Sequence, residues 1–166
     1  MVNTVHGIKW FIGLVLIQVL VLNQMHISGY ATPFLYIYFI LKINSKVGRN
    51  ELMLWAFMLG LIVDIFGNTP GMNAAAATCL AFSRSSLLRL STLRSEDEAF
   101  YPGIKSLGVS SFSRYALLAS VLFCTVLLLI DTFSFFHVGR LILKIIASTI
   151  STFIFIFCAE SIGGKK

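Results

Sequence analysis

Charge is scarce in this sequence. Charged residues fill 12% of the 166 positions, hydrophobic ones fill 57%, and the mean hydropathy is +0.88. A soluble domain carries about 25% charged and about 45–50% apolar residues. The apolar excess is too large for one soluble core, so the chain falls in the integral membrane class. Cysteine is scarce too. Cys79, Cys124 and Cys158 lie far apart in separate apolar runs with no CxxC. They read as buried free thiols acting as small hydrophobes. Reactive constellations are missing. There is no HExxH, no GxSxG, no phosphate-binding glycine loop and no Cys/His pair at metal spacing. His6, His26 and His137 lie near the ends of apolar runs and share no face. Neither an enzyme nor a bound metal or cofactor is expected.

What the chain does have is long apolar runs. They predict an all-α membrane domain with six transmembrane helices at about 8–25, 31–43, 52–66, 71–90, 115–131 and 140–158, and a polar loop at 91–113. The first run has a basic start at Lys9 but no small-residue cleavage site, so it reads as a retained signal-anchor. Its interior Gln18 is expected to face a neighbouring helix. Thr32 and Pro33 read as an N-cap and first helical position. The apolar stretch that follows, PFLYIYFILKI, is short for a straight span. A short helix in a thin region, a re-entrant piece and a flank-extended span all suit it, and it counts here as a short second span. Tyr30, Tyr36 and Tyr38 suit an interface or a groove. Leu87, Leu88, Leu90 and Leu93 recur at helical spacing around Arg84, Arg89 and Arg94, which predicts that the fourth helix runs on along the membrane surface. The triplet Glu96, Asp97 and Glu98 reads as a solvated loop.

The formal charge of +6 would suggest nucleic acid in a soluble protein. Here the basic residues sit between apolar runs, where cytoplasmic loops carry them. With six spans and a cytoplasmic N-terminus, Lys9, Lys42, Lys46, Arg49, Arg84, Arg89, Arg94, Lys105, Arg114, Lys165 and Lys166 fall inside, and Arg140 and Lys144 outside. Both termini are then cytoplasmic, and the partner is a lipid bilayer rather than nucleic acid.

Residues 52–82 form the centre of this scheme: two apolar runs joined by Gly67, Asn68, Thr69, Pro70 and Gly71. Asp64 lies just before the turn and small residues, Ala74 to Thr78, just after it. An acid inside a span is costly and marks a function or a partner. Asp64 and Asp131 both fall on the outer side, where they are able to bind a cation, pair with Arg140 or Lys144, or hold a partner. A structural role for Asp64 is equally concrete, since the next helix starts after Pro70 and offers free N–H groups at its positive end. The small residues predict a central helix with close neighbours, in which Asn73 and Thr78 bond across.

The stretch G-L-I-V-D-I-F-G-N-T-P-G-M, running from Gly60 to Met72, resembles the third-to-fourth helix junction of the bacterial rod shape-determining MreD family. The segment from Tyr30 to Leu41, the loop Ile104-Lys-Ser-Leu-Gly108 and Tyr115-Ala-Leu-Leu118 are similar to other parts of that family. Gly60, Asp64, Gly67, Pro70 and Gly71 carry the pattern. The resemblance implies a non-enzymatic inner-membrane component of the cell-elongation complex, which supports lateral peptidoglycan synthesis and cell shape. Implied partners are an MreC-like periplasmic membrane protein, an MreB-like cytoskeleton, a RodA-like glycosyltransferase and a penicillin-binding transpeptidase. It implies a fold similar to the substrate-binding subunits of energy-coupling-factor transporters. That fold leaves an alternative, a small-molecule transporter subunit with a pocket lined by Tyr36, Tyr38, Asp64 and Asn68.

Overall fold

The computed structural model describes residues 13, 18, 33–92, 100–131 and 138–163. The first span beyond Gly13 and Gln18, Arg94 with the acidic triplet, the turn at 132–137, the three histidines and the terminal lysines lie outside the described residues. Every described element is a helix: α1 Ile37–Lys42, α2 Arg49–Gly67, α3 Met72–Ser91, α4 Ile104–Leu107, α5 Val109–Asp131 and α6 Val138–Gly163. Among the described residues, three helical stretches are long and apolar enough to cross a membrane: Arg49–Gly67, Val109–Asp131 and Leu141–Ser161. Only 33%, 44% and 33% of their residues are buried inside the protein, so the rest of each surface needs an apolar solvent. On α6, Ile142, Ile146, Ile150 and Ile154 form an exposed stripe at four-residue steps. Cys158 continues it, so this thiol is exposed rather than buried as expected, while Cys124 is buried and Cys79 half-buried.

The long helices outrun the apolar stretches that predict them. The third predicted span begins at Arg49 (α2) instead of 52, the fifth at Val109 (α5) instead of 115, and the sixth (α6) ends at Gly163 instead of 158. Hydropathy marks the part that suits lipid, whereas the hydrogen-bonded helix continues into polar surroundings.

The central helix is α3. It packs on α2 and α5 and touches α1. It is less apolar than the three spanning helices, because protein covers it: Ala74, Ala76, Ala77, Leu80, Ala81, Leu87 and Leu88 are all buried. Small side chains permit this closeness. At Gly60 of α2, an added Cβ would lie 2.5 Å from Ala74 Cα, so no other residue fits without parting the two helices. The expected run of α3 along a surface does not occur within the described residues. The helix stops at Ser91, and Thr92 is extended. The Ser91 hydroxyl donates to the Leu87 carbonyl at 2.7 Å, competing for the backbone where the helix ends.

The second predicted span needs a larger correction. Pro33 does not open a helix; α1 starts four residues later, at Ile37, and is six residues long. That is a rise of about 9 Å, roughly a third of the hydrocarbon core. The preceding backbone is held by side chains instead. Gln18 Nε2 donates to the Pro33 carbonyl at 3.0 Å, and Gln18 Oε1 accepts from the Leu35 N–H at 2.8 Å. Thr152 Oγ1 accepts from the Phe34 N–H at 3.1 Å. Irregular backbone is tolerated at membrane depth only when protein satisfies it in this way. Residues 33–38 are all buried, so Tyr36 and Tyr38 line neither an interface nor an open groove. The ring of Tyr36 meets Phe123 edge-on, with centroids 5.6 Å apart.

Candidate functional site

Two polar centres stand at opposite ends of the helix bundle. The first is built on the α2–α3 hairpin. Helix α2 ends as Asn68 turns left-handed (φ 53°), with its N–H on the Asp64 carbonyl; Gly71 follows at φ 75°. These two conformations reverse the chain and point the start of α3 back at Asp64. Its carboxylate, 5% exposed, is then fully engaged. Oδ1 accepts from the Asn73 N–H at 3.0 Å, from Asn73 Nδ2 at 2.9 Å and from the Thr69 hydroxyl at 2.6 Å. Oδ2 accepts from the Ala74 N–H at 2.9 Å. Asp64 therefore caps α3 from the neighbouring helix, at the positive end of its dipole. Asn73 extends the network inward, accepting from the Tyr36 hydroxyl at 3.0 Å. Thr78, expected to bond across, instead donates to the Ala74 carbonyl of its own helix.

The second centre surrounds the end of α1. Arg84, counted above among the cytoplasmic-side cations, is buried, with 3% exposure. Its Nη2 donates to the carbonyls of Leu41, at 3.4 Å, and Ile43, and Nη1 donates to that of Asn44 at 3.5 Å. Its Nε donates to the Tyr115 hydroxyl at 3.2 Å. The guanidinium thus satisfies the free carbonyls at the negative end of a helix. Glu160 of α6 closes the other side. Its Oε2 accepts from the Tyr38 hydroxyl at 2.6 Å and pairs with Lys42, and its Oε1 accepts from the Ile104 N–H at 3.1 Å. Gly103 packs against this pair: a Cβ there would sit 2.7 Å from Glu160 Oε1 and 2.8 Å from Lys42 Nζ, and the two side-chain ends would have to shift. Ser45 and Phe100 tie the loops together, the Ser45 N–H donating to the Phe100 carbonyl at 2.9 Å.

Of the predicted site residues, Gly60, Asp64, Gly67, Asn68, Pro70 and Gly71 gather at the hairpin, with Asn68 and Pro70 exposed at its tip. Asp131 is exposed at the end of α5. Tyr36, Tyr38, Asp64 and Asn68 do not line one pocket. Tyr36 joins the Asp64 network, Tyr38 joins Glu160 at the other end, and Asn68 is exposed. Gln18 is buried as expected, but it holds an irregular backbone rather than a helix face. Arg84, Tyr115, Lys42, Glu160 and Thr152 were not singled out from sequence. An arginine two turns inside the end of α3, and Tyr38 with Lys42 one helical turn apart, are the signals that point to them.

No protein-family model matches the chain, and no curated protein and no solved structure matches it.

Proposed function

We propose that this chain is a non-enzymatic membrane scaffold of the MreD type, a component of the bacterial cell-elongation machinery. It lies in the inner membrane with six spans and cytoplasmic termini, in a fold like that of energy-coupling-factor substrate-binding subunits. The hairpin end faces outward and receives an MreC-like partner. The MreB-like cytoskeleton, RodA-like glycosyltransferase and penicillin-binding transpeptidase are further members of the complex.

The observation that carries this reading is the state of Asp64. An acid in a membrane helix suggests ion or proton work when it is accessible. Here four donors occupy it. Its role is to hold a rigid hairpin whose tip presents Ile65, Phe66, Asn68 and Pro70, all exposed, to a partner. The test is a membrane pull-down of the tagged protein, with Phe66→Ala and Asn68→Ala as tip variants. The reading expects an MreC-like protein to co-purify and the tip variants to reduce it at unchanged protein level. A co-purifying small metabolite without any cell-wall protein would instead support the transporter alternative.

A further inference from the structure

Residues 100–108 cross the second polar centre as a strap. Their backbone lies directly on the Glu160–Lys42 pair, since a Cβ on Gly103 would meet both side-chain ends. Polar bonds hold the strap down. The Ile104 N–H donates to Glu160 Oε1 at 3.1 Å, and the Phe100 N–H donates to the Ser45 hydroxyl at 3.2 Å. The Ser45 N–H donates back to the Phe100 carbonyl. The apolar grip is small. Pro102 is the one buried side chain of the strap, Ile104 and Leu107 are half-buried against the core, and Tyr101 and Lys105 are exposed.

The helices beneath are held by other means. Arg84 bonds to the carbonyls of residues 41–44 and to Tyr115. Helix α5 packs on α3 and α6 through buried residues such as Phe112, Ala116, Ala119 and Phe123. None of these residues belongs to the strap. A segment with few buried side chains opens at lower cost than the core around it. The strap joins α5 at Gly108, whose φ is 78° and where nothing lies within 4 Å of an added Cβ. Glycine turns freely at such a point, so Gly108 suits a pivot. Helix α4 is a single turn and has no stability of its own in water. Once lifted, the strap has no internal reason to keep its shape.

We propose that residues 100–107 lift off the Glu160–Lys42 pair as a unit, turning about Gly108, while the helices tied by Arg84 stay packed. Lifting uncovers a carboxylate and an ammonium at this end of the bundle. The device is independent of the scaffold reading, since the movement and its readout both lie within this chain.

The experiment is carboxylate labelling of the detergent-purified full chain with a water-soluble carbodiimide and glycine ethyl ester, followed by peptide mass spectrometry. Glu160 is scored as the sum of its glycine adduct and its amide to Lys42. Asp64, buried at the other end, reports unfolding of the whole chain, and exposed Glu51 and Asp131 report the uninhibited reaction. In the wild type Glu160 reacts more slowly than Glu51 but measurably, and Asp64 does not react. Ser45→Ala removes one bond and raises Glu160 labelling about threefold. Gly108→Ala strains the closed backbone and raises it about tenfold. Asp64 stays unlabelled in both. The first variant decides the matter if the second does not fold. Glu160 as unreactive as Asp64, or both labelled at one rate, overturns the proposal. So does Glu160 labelling unchanged by Ser45→Ala.

Discussion

The two ends of the bundle bury opposite charges by one device. At the hairpin, a carboxylate accepts from the free N–H groups that begin α3. At the other end, a guanidinium donates to the free carbonyls that end α1. Each ion neutralises the pole of a helix dipole and satisfies groups that a helix end leaves unpaired. The ends differ in where the partners come from. The side-chain partners of Asp64 lie 5 to 10 residues along the chain. Those of Arg84 lie 31 to 43 residues away. The hairpin end is thus closed by a local turn, whereas the Arg84 end closes only when separate elements meet. A local lock protects one turn, but a distant one holds the arrangement of helices together.

The sharpest way to break this contrast is Arg84→Leu. It strands the Ile43 carbonyl, leaves those of Leu41 and Asn44 to the Tyr115 hydroxyl and the Val47 N–H alone, and unties α3 from α1 and α5. The expected cost is about 4 kcal/mol, the scale for removing one side of a buried charged contact. Thermal unfolding in detergent measures it, and hydrogen exchange should rise in both 41–45 and 109–116. Exchange confined to α3 would show that Arg84 is not a long-range tie. Next is Asp64→Ala, expected to cost about 3 kcal/mol, with added exchange limited to 64–75. Asp64→Asn keeps one acceptor oxygen and should cost about half as much; equal losses for the two would show that the charge, not the acceptor, holds the cap. Glu160→Gln should cost about 2 kcal/mol, because the single amide oxygen serves either the Tyr38 hydroxyl or the Ile104 N–H and Lys42 loses its ion. Smallest is Tyr36→Phe, about 1 kcal/mol, read from the same unfolding curves. A loss as large as that of Asp64→Ala would make the Tyr36–Asn73 bond integral to the hairpin.

This difference in range also explains what the sequence revealed. The Asp64 turn was legible because every signal sits within a dozen residues: an acid, an asparagine, a proline and two glycines in a fixed order. The helices were legible by their apolar runs, but not their ends, since lipid and hydrogen bonding stop at different residues. Arg84 looked like one more cytoplasmic cation, because nothing near it shows that the carbonyls of residues 41–44 converge on it. The short α1 was hidden for the same reason. Thr32 and Pro33 are ordinary helix starters, and the bonds that Gln18 and Thr152 make to the backbone of residues 33–35 come from the fold.

That last arrangement bears on how the protein is made. The Phe34 N–H has its acceptor on Thr152, 118 residues later in the chain. Until that residue arrives, the Phe34 N–H lacks its acceptor, and lipid cannot supply one. Probing a cysteine placed at Phe34 with a water-soluble thiol reagent should find it reactive in chains halted before Thr152 and protected in complete ones. An early segment of the sequence is therefore among the last to settle, and the final helix completes it as well as the bundle.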